Sequence, residues 1–438
     1  MVARFKALLR GSLPLVAAAC ADTGQAPRDI EVVLETPSIW VGSEGVLRSD
    51  GFAGPDTLPM VLLDNDTVAV RFLGNGRVAF RAPDSASSYA VTVHTADGGR
   101  GLAGAVVAGG AYEQTLSGVL VGNGLSWPQR HGPTIAAPWT TSINGTTTSS
   151  MVVIALSQPG QPVPLGIPDS LNSPSCMGDG PGPSVTGGLV LSGGNPCWKR
   201  AWSRDTTGRL VATDSNGFAG SFFLYFGGGN WVAGDRHALY ASTRTTQTLL
   251  QQVETARAVL SPRGDRAAPD GGWVNLALGV PVFGAGPPVT VAYRLPGDAC
   301  FGADFSSRGD TLFIGLGSRG SSAAVVAAVD ATTGSVLAQT DSVVLNGTSK
   351  VLAEPDRPWI YVLGFADNGA SERPRIYVID RRSMKVVAHL DLPSGAWPAT
   401  IHGWLGTFLD APNRRLYVME PQGPANTGNS YYVFRLID

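Results

Sequence analysis

The sequence predicts an all-β protein in which an N-terminal β-sandwich precedes a β-propeller of about seven blades. Its 438 residues include 56 glycines and 31 prolines, and only 15% are charged. Glycine and proline are the poorest residues in helix interiors, so this composition disfavours a helical protein. Short runs with alternating apolar residues near the N-terminus indicate half-buried strands. Strand-and-turn units that recur about every 50 residues near the C-terminus indicate propeller blades.

Residues 1–20 have the layout of an export signal. Basic residues up to Arg10 precede a short apolar stretch that ends in three alanines immediately before Cys20. This stretch is too short to span a bilayer. The small residues before Cys20 resemble the bacterial lipobox, which implies cleavage there and lipid attachment to Cys20. Ordinary cleavage after Ala19 or Ala21 is the competing interpretation. We therefore expect an exported protein of the cell envelope, lipid-anchored on the periplasmic or outer surface, with secretion as the alternative.

Three further cysteines follow Cys20. Cys176 and Cys197 flank a span of 20 residues that is rich in proline and glycine. An oxidising compartment permits a disulfide between them, and we expect one, with Cys300 left outside it. Two unpaired buried thiols are the alternative. A zinc site is disfavoured because neither cysteine has a second cysteine or a histidine at ligand spacing. No metal or cofactor is predicted.

After a polar linker at 21–28, residues 29–108 are predicted to form the sandwich. Alternating apolar residues mark its strands: Val68, Val70 and Phe72, then Val78 and Phe80, then Tyr89, Val91 and Val93. Such alternation between turn residues is typical of antiparallel sheets. The order of short motifs resembles the IPT/TIG immunoglobulin-like family: Pro37 and Gly42, Gly51 with Phe52, Phe80 through Pro83, and Tyr89 through Val93 ahead of Gly98. The resemblance implies a spacer or interaction module without catalytic residues.

Residues 109–438 are predicted to form the propeller. A strand-like run after a polar turn recurs at Leu312, Ile360 and Leu416, at intervals of 48 and 56 residues. A second element at residues 325–330 recurs at 375–380, and each copy precedes a turn and another strand. Periods of this length with several strands are typical of blades, and the region accommodates about seven. The residues from Ile376 through Asp380, with the Lys-Val-Val-Ala that follows, resemble YVTN-type seven-bladed propellers, a group that includes lactonase-like proteins.

The last blade lacks a strand, because nothing follows the apolar run at residues 431–437. A strand from the start of the propeller region would complete this blade and remove an exposed sheet edge. Residues 115–121 are the candidate for that closing strand.

Two motifs permit a functional and a structural interpretation. Residues 315–320 read Gly-Leu-Gly-Ser-Arg-Gly, the glycine spacing of a dinucleotide-binding turn. That site would need a helix after the motif, whereas the repeat alignment predicts a strand. Arg-Gly-Asp occurs at residues 263–265 and 308–310, where adhesion is one interpretation. A tight blade turn is the other, and we prefer it because glycine and aspartate favour turns.

Candidate binding residues lie in loop-like segments. Trp397, His402 and Trp404 precede the last blade, and Asp235 lies close to His237. Loops at one end of a rigid scaffold often bind ligands, and tryptophan is a good anchor for sugars or proteins. Packing between blades, or an ordinary surface position, is the structural alternative.

The sequence favours a binding protein over an enzyme. No two of the five histidines lie within four residues of one another, and no nucleophile elbow or phosphate-binding loop occurs. No catalytic residue is assigned. The net charge of −2 and the presence of only four lysines disfavour a nucleic-acid partner. We expect an unknown protein or glycan ligand, with membrane contact through the lipid alone. The alternative is a propeller hydrolase or lactonase-like enzyme with its site in the central funnel.

Overall fold

The computed structural model describes residues 28–83, 87–110, 299–318, 321–345, 349–365, 374–391, 407–420 and 429–437, together with separate strands and short loops between 112 and 297. The described part contains strands, one 3-10 turn at Pro55–Thr57 and no α-helix. It also contains no helix long and apolar enough to cross a membrane.

The first ten strands precede residue 110. They are β1 (Arg28–Asp29), β2 (Val33–Leu34), β3 (Ser38–Trp40), β4 (Glu44–Arg48), β5 (Met60–Leu63), β6 (Asp66–Val68), β7 (Val70–Gly74), β8 (Arg77–Arg81), β9 (Ser87–His94) and β10 (Gly99–Gly109).

Eighteen strands lie between residues 112 and 293. They are β11 (Tyr112–Leu120), β12 (Gln129–His131), β13 (Thr134–Ile143), β14 (Thr146–Ala155), β15 (Pro162–Pro164), β16 (Gly182–Pro183), β17 (Leu189–Gly193), β18 (Trp198–Arg204), β19 (Leu210–Asn216), β20 (Phe222–Gly227), β21 (Asn230–Gly234), β22 (Ala238–Ser242), β23 (Gln247–Gln252), β24 (Ala258–Leu260), β25 (Ala267–Pro269), β26 (Gly272–Trp273), β27 (Leu278–Val282) and β28 (Val289–Tyr293).

Twelve strands complete the described chain. They are β29 (Ala299–Phe305), β30 (Thr311–Gly317), β31 (Ala323–Asp330), β32 (Val336–Gln339), β33 (Val343–Val344), β34 (Lys350–Ala353), β35 (Trp359–Phe365), β36 (Pro374–Asp380), β37 (Lys385–Asp391), β38 (Phe408–Asp410), β39 (Arg415–Glu420) and β40 (Asn429–Arg435).

The first ten strands form two sheets that share one core. The first sheet has the order β1-β10-β9-β5-β6, with β3 also paired to β10, and the second has the order β2-β4-β8-β7. Alternate residues of both sheets fill the core, among them Leu47, Val78, Phe80, Val91 and Val93. The alternating run from Val68 to Phe72 differs from expectation in one respect. The chain changes sheets within it, since β6 pairs with β5 and β7 pairs with β8.

The rest of the described chain contains seven units of four strands, which we number as blades. They are blade 1 (β12–β15), blade 2 (β16–β19), blade 3 (β20–β23), blade 4 (β24, β25, β27 and β28), blade 5 (β29–β32), blade 6 (β34–β37) and blade 7 (β38, β39, β40 and β11). Blade 4 consists of two strand pairs, and two further short strands lie outside the units: β26 pairs with β29, and β33 links β31 of blade 5 to β35 of blade 6. The first strands of blades 2 to 6 lie beside one another in chain order. The predicted fold class, all-β with a propeller of about seven blades, is confirmed.

The ring is closed by the strand that the sequence indicated. β11 pairs antiparallel with β40, with Thr115 opposite Tyr432 and Leu116 opposite Tyr431. The strand begins three residues before the predicted Thr115 and ends at Leu120. Blade 7 therefore combines three strands from the end of the chain with one from the start of the propeller region.

The glycine motif and the two Arg-Gly-Asp sequences are parts of blades. The glycine motif at 315–320 begins in β30, and the segment that a dinucleotide fold would make helical is β31, paired along its length with β30. Both Arg-Gly-Asp sequences lie in the turn between the first and second strands of a blade. The hydroxyl of Ser306 donates to Asp310 Oδ1 at 2.7 Å and that of Ser261 donates to Asp265 Oδ1 at 2.8 Å. The blade and turn interpretations are confirmed.

Trp40 at the end of β3 joins the sandwich to blades 6 and 7. Its side chain is only 3% exposed, in a core shared with both blades. The indole meets Trp359 and Tyr361 edge to face, with ring centroids 5.6 and 5.8 Å apart. Gly110 passes directly beside it with φ of +85°, and a Cβ there would lie 2.2 Å from the indole. A side chain at position 110 would therefore displace Trp40.

A buried charged network lies beside Trp40. Glu354, in the turn before β35, is 1% exposed and accepts a hydrogen bond from the Tyr361 hydroxyl at 2.6 Å. Arg414, in the equivalent turn of blade 7, forms an ion pair with Glu354 and donates to the carbonyl of Ile437. Burial raises the pKa of Tyr361 well above its ordinary value, so its hydroxyl remains a donor. The network links two blades and the last described residue.

Candidate functional site

The direction of the strands divides the ring into two faces. Because neighbouring strands of a blade are antiparallel, connections from first to second and from third to fourth strands share one face, which we call the turn face. Connections from second to third strands, and from one blade to the next, share the other, which we call the loop face. Glu354, Arg414 and the end of β40 place the sandwich contact on the turn face.

The predicted binding residues lie outside the described residues, and only the strand ends before and after them can be assigned to a face. Trp397, His402 and Trp404 belong to the connection between β37 of blade 6 and β38 of blade 7. Asp235 and His237 belong to the connection between β21 and β22 of blade 3. Both connections join strand ends on the loop face, opposite the sandwich contact.

The predicted lipid and disulfide residues also lie outside the described residues. These are Cys20, Cys176 and Cys197. Cys300 is described, and it is fully buried in β29.

Three ionisable side chains at or next to the inner strands of the propeller tie neighbouring blades together. Asp304 and Lys350 lie on the first strands of blades 5 and 6, and Asp270 directly follows the second strand of blade 4. Asp270 Oδ1 accepts the amide of Ala303, 2.8 Å away in blade 5. Asp304 Oδ2 accepts the amide of Ala353, 2.8 Å away in blade 6, and its Oδ1 accepts the adjacent amide of Phe305 at 2.9 Å. Lys350 Nζ donates to the carbonyl of Thr407, 3.0 Å away at the start of blade 7. We call Asp270, Asp304 and Lys350 the inner-wall ties.

A bulge in β29 permits this close approach. The register between β29 and β30 shifts between Cys300 and Ala303, and Gly302 has φ of +118°. A Cβ on Gly302 would lie 2.9 Å from the Cα of Lys350. Bulges re-aim side chains and bend strands, and here the bulge comes directly before Asp304. Glycine is required because the backbone of the next blade occupies the space that a side chain would take.

Asp304 has the most unusual electrostatic environment of the three ties. Its pKa is raised to about 7, chiefly because the carboxyl group is removed from solvent. The amides of Ala353 and Phe305 oppose that shift, the charge of Asp270 adds to it and the charge of Lys350 opposes it. Near neutral pH the carboxyl group therefore exists in both protonation states. A carboxyl group of this kind can give or take a proton at physiological pH.

Sequence reasoning missed the inner-wall ties. A signal for Asp304 was available, since it is a charged residue in the otherwise apolar strand β29, whose other residues are all buried. Asp270 follows a proline in a glycine-rich segment, and Lys350 follows a polar turn. Neither context distinguishes an inner-wall residue from an ordinary surface residue. In the part of the chain that the structure describes, no three or more His, Cys, Asp or Glu side chains are grouped to hold a metal ion.

The raised pKa of Asp304 predicts a pH-dependent stability. Between about pH 4 and pH 7 the folded chain keeps a proton that the unfolded chain has lost. The free energy of unfolding should therefore fall as the pH rises through this window and become level above it. Asp304→Asn should remove this fall. The variant should also have a lower free energy of unfolding by an amount that does not depend on pH, because one of the two hydrogen bonds to the amides is lost. Urea unfolding of both proteins from pH 4 to pH 8 measures the effect, and parallel profiles would contradict the assignment.

Comparison with known proteins gives likenesses of fold. No protein-family model matches the chain, and no curated protein matches it. A chain in a crystal structure of a mitotic checkpoint complex is 12% identical, with a TM-score of 0.49, over 75% of this chain and 92% of that one. The β-propeller domain of Cps50 (Swd1) from Myceliophteria thermophila is 9% identical, with a TM-score of 0.46, over 75% and 99%. A putative 6-phosphogluconolactonase from Bacteroides fragilis is 11% identical, with a TM-score of 0.41, over 70% and 97%. Identities this low concern fold alone.

Proposed function

We propose that this chain is an exported, lipid-anchored binding protein of the bacterial cell envelope. The propeller presents the binding surface, and the sandwich, which we assign to the IPT/TIG type, acts as the spacer. Lipid attached to Cys20 holds the protein at the membrane, and a disulfide between Cys176 and Cys197 closes a propeller loop. The observation that carries the proposal is the separation of the two faces. The strand ends on either side of the candidate binding connections lie on the loop face, while the sandwich contacts the turn face.

The inner-wall ties support binding over catalysis. Asp270, Asp304 and Lys350 each use an ionisable group to hold the next blade. Groups engaged in this way keep the blades in fixed positions, as a scaffold for binding loops requires. Trp40 packs the sandwich against the same ring, and the Glu354 network beside it joins blades 6 and 7. The result is a rigid ring whose loop face points away from its spacer.

The ligand surface is assigned to the connection that contains Trp397, His402 and Trp404, with Asp235 and His237 on the same face. Tryptophan presents a large flat surface on which a sugar ring or an apolar side chain can stack. This connection leads directly to Thr407, whose carbonyl is held by Lys350. One end of the proposed surface is therefore fixed to the inner wall. A glycan is the ligand class to test first, and a protein is the second.

An immobilised glycan array tests this assignment with the whole mature chain. We expect binding to one group of oligosaccharides, and a loss of at least about tenfold when Trp397 and Trp404 are both replaced by alanine. Leu249→Ala is the matched control, because Leu249 is 50% exposed on β23 at the outer edge of blade 3. Its signal should be unchanged. Equal binding by the tryptophan variant and the wild type would contradict the assignment, and capture of a protein by the same surface would change the ligand class.

One observation favours a second candidate function. Asp304 combines a pKa of about 7 with a position near Lys350, which suits acid and base catalysis in a propeller hydrolase or lactonase-like enzyme. A panel of lactones and esters distinguishes the two functions. The enzymatic function would replace the binding function under two conditions. The wild type would turn over a lactone or ester and Asp304→Asn would not, and the variant that lacks Trp397 and Trp404 would keep that turnover.

A further inference from the structure

We propose that the sandwich contacts the membrane through the outer face of its first sheet, at the end remote from the propeller. The contact consists of Met60, Leu62 and Leu102 around Thr92 and His94, which we call the outer-face patch. The inference rests on the proposed lipid anchor at Cys20 and goes beyond it, because it makes the folded sandwich a second point of membrane contact.

The strand register places these residues in two adjacent rows. Thr92 on β9 is opposite Leu62 on one side and Leu102 on the other. Two residues along the strand, His94 is opposite Met60 and Arg100 in the same way. Side chains two apart on a strand point to the same side, so all six belong to one surface.

Three of the six side chains on this surface are apolar, and two of these three are well exposed. Leu102 is 70% exposed and Met60 is 45% exposed, and Leu58, just before β5, is 41% exposed. Val61 and Val93, which alternate with these residues, are fully buried in the sandwich core. Single exposed apolar residues are common on proteins. Here Met60, Leu62 and Leu102 occupy two neighbouring rows, as expected of a surface that another apolar phase covers.

The tether enters at the edge of the patch. β1 pairs with the start of β10, so that Asp29 is opposite Arg100 and continues the row of His94 and Met60. Cys20 lies eight residues before Arg28, which permits a reach of up to about 29 Å. The row crosses four strands, or about 14 Å. The lipid on Cys20 can therefore insert beside the patch while the patch lies on the bilayer.

The charged residues near the patch are of both signs, so they favour neither anionic nor cationic lipid headgroups. Arg28 and Arg100 are basic, whereas Asp29 and Asp97 lie at the same end of the sheet. Apolar contact with the headgroup and acyl boundary is therefore the interaction that we assign, and it supplies a second signal beside the lipid chain.

The patch is also remote from the propeller. β10 begins near the patch and ends at Gly109, which is opposite Trp40 at the propeller contact. Leu102 and Gly109 are seven residues apart on this strand, a distance of about 23 Å. The patch and the propeller contact thus lie at opposite ends of β10.

Quenching by brominated lipid tests the contact on the full lipid-modified chain. A bimane label is attached to Leu102→Cys, and to Leu73→Cys as the matched control. Leu73 is 39% exposed on β7 of the second sheet. Each protein is reconstituted into phosphatidylcholine and phosphatidylglycerol vesicles with ordinary or brominated acyl chains, and unsubstituted protein reports labelling of the native cysteines. We expect brominated chains to lower the emission at position 102 at least about twofold and to leave position 73 unchanged.

The outcomes separate the patch from the anchor. Co-sedimentation with vesicles that is lost in Cys20→Ala supports the anchor, whatever the quenching shows. Co-sedimentation with equal quenching at positions 102 and 73, or with none at either, overturns the patch while the anchor stands. Absence of co-sedimentation by the lipid-modified chain overturns both. Protection of position 102 in a dimer without quenching would assign the face to a second copy of the chain.

Discussion

Replacement of Trp40 by alanine is expected to lower the free energy of unfolding by about 3 to 5 kcal/mol, the cost of deleting a large buried aromatic side chain. The indole is 3% exposed and contacts Trp359 and Tyr361 of blade 6 from the end of a sandwich strand. Its loss would leave a cavity between the sandwich and blade 7. Neither can move in to close this cavity, because the amide of Gly110 donates a hydrogen bond of 2.5 Å to the carbonyl of Arg435 at the end of β40. The sandwich should then unfold at a lower denaturant concentration than the propeller.

Urea unfolding followed by tryptophan fluorescence and circular dichroism measures this effect. Trp40→Phe should cost less, because a ring is retained and the indole Nε1 has no hydrogen-bond partner in the described part of the chain. Leu73→Ala, on the exposed surface of β7, should change stability by no more than about 0.5 kcal/mol. An unchanged unfolding midpoint in Trp40→Ala would show that the sandwich does not depend on this contact.

The second large effect is expected at Glu354. Glu354→Ala would leave the Arg414 guanidinium, with a side chain only 16% exposed, beside Tyr361 without its carboxylate. Removing one partner of a buried ion pair costs about 3 to 5 kcal/mol, because the remaining charge stays desolvated. Glu354→Gln should cost less, since an amide can still accept the hydrogen bond of the Tyr361 hydroxyl.

A double-mutant cycle with Arg414→Ala separates the ion pair from the other contacts. The double variant should be more stable than the sum of the two single losses predicts, by at least about 1 kcal/mol, because no charge is left buried alone. Additive losses would show that Glu354 and Arg414 stabilise the fold independently. Thermal or urea unfolding at one pH is sufficient for all four proteins.

The blades that the sequence predicted best are those whose residues repeat both an apolar alternation and a turn. Blades 5 and 6 contain buried, β-branched strands followed by turns headed by Asp330 and Asp380, and both features are local in sequence. The closing strand β11 was predictable because the last predicted blade was short of one strand. The blades between residues 129 and 293 were inferred from length alone. Their strands are joined by backbone pairing, which many side chains permit, so the repeat is visible in the register and not in the residues.

The contacts that position the candidate site could not be predicted in the same way. Trp40 lies in a sandwich strand but packs against residues more than 300 positions later, and no local pattern reports such a partner. Asp304 and Lys350 are 46 residues apart in sequence and lie near each other only because consecutive blades place their first strands side by side. Polar residues on an inner wall have no periodicity of their own, and their roles follow from the ring.

Hydrogen–deuterium exchange of the intact chain is the most direct test of the closed ring with the sandwich held against its last two blades. We expect the paired amides of β11 and β40 to be protected to a similar degree in the wild type. In Trp40→Ala, protection should fall at the end of β10 and at the end of β40, and should remain unchanged in β30 and β31. Rapid exchange of β11 in the wild type, or a Trp40→Ala protein with unaltered exchange at both of those ends, would contradict this structure of the ring and its sandwich contact.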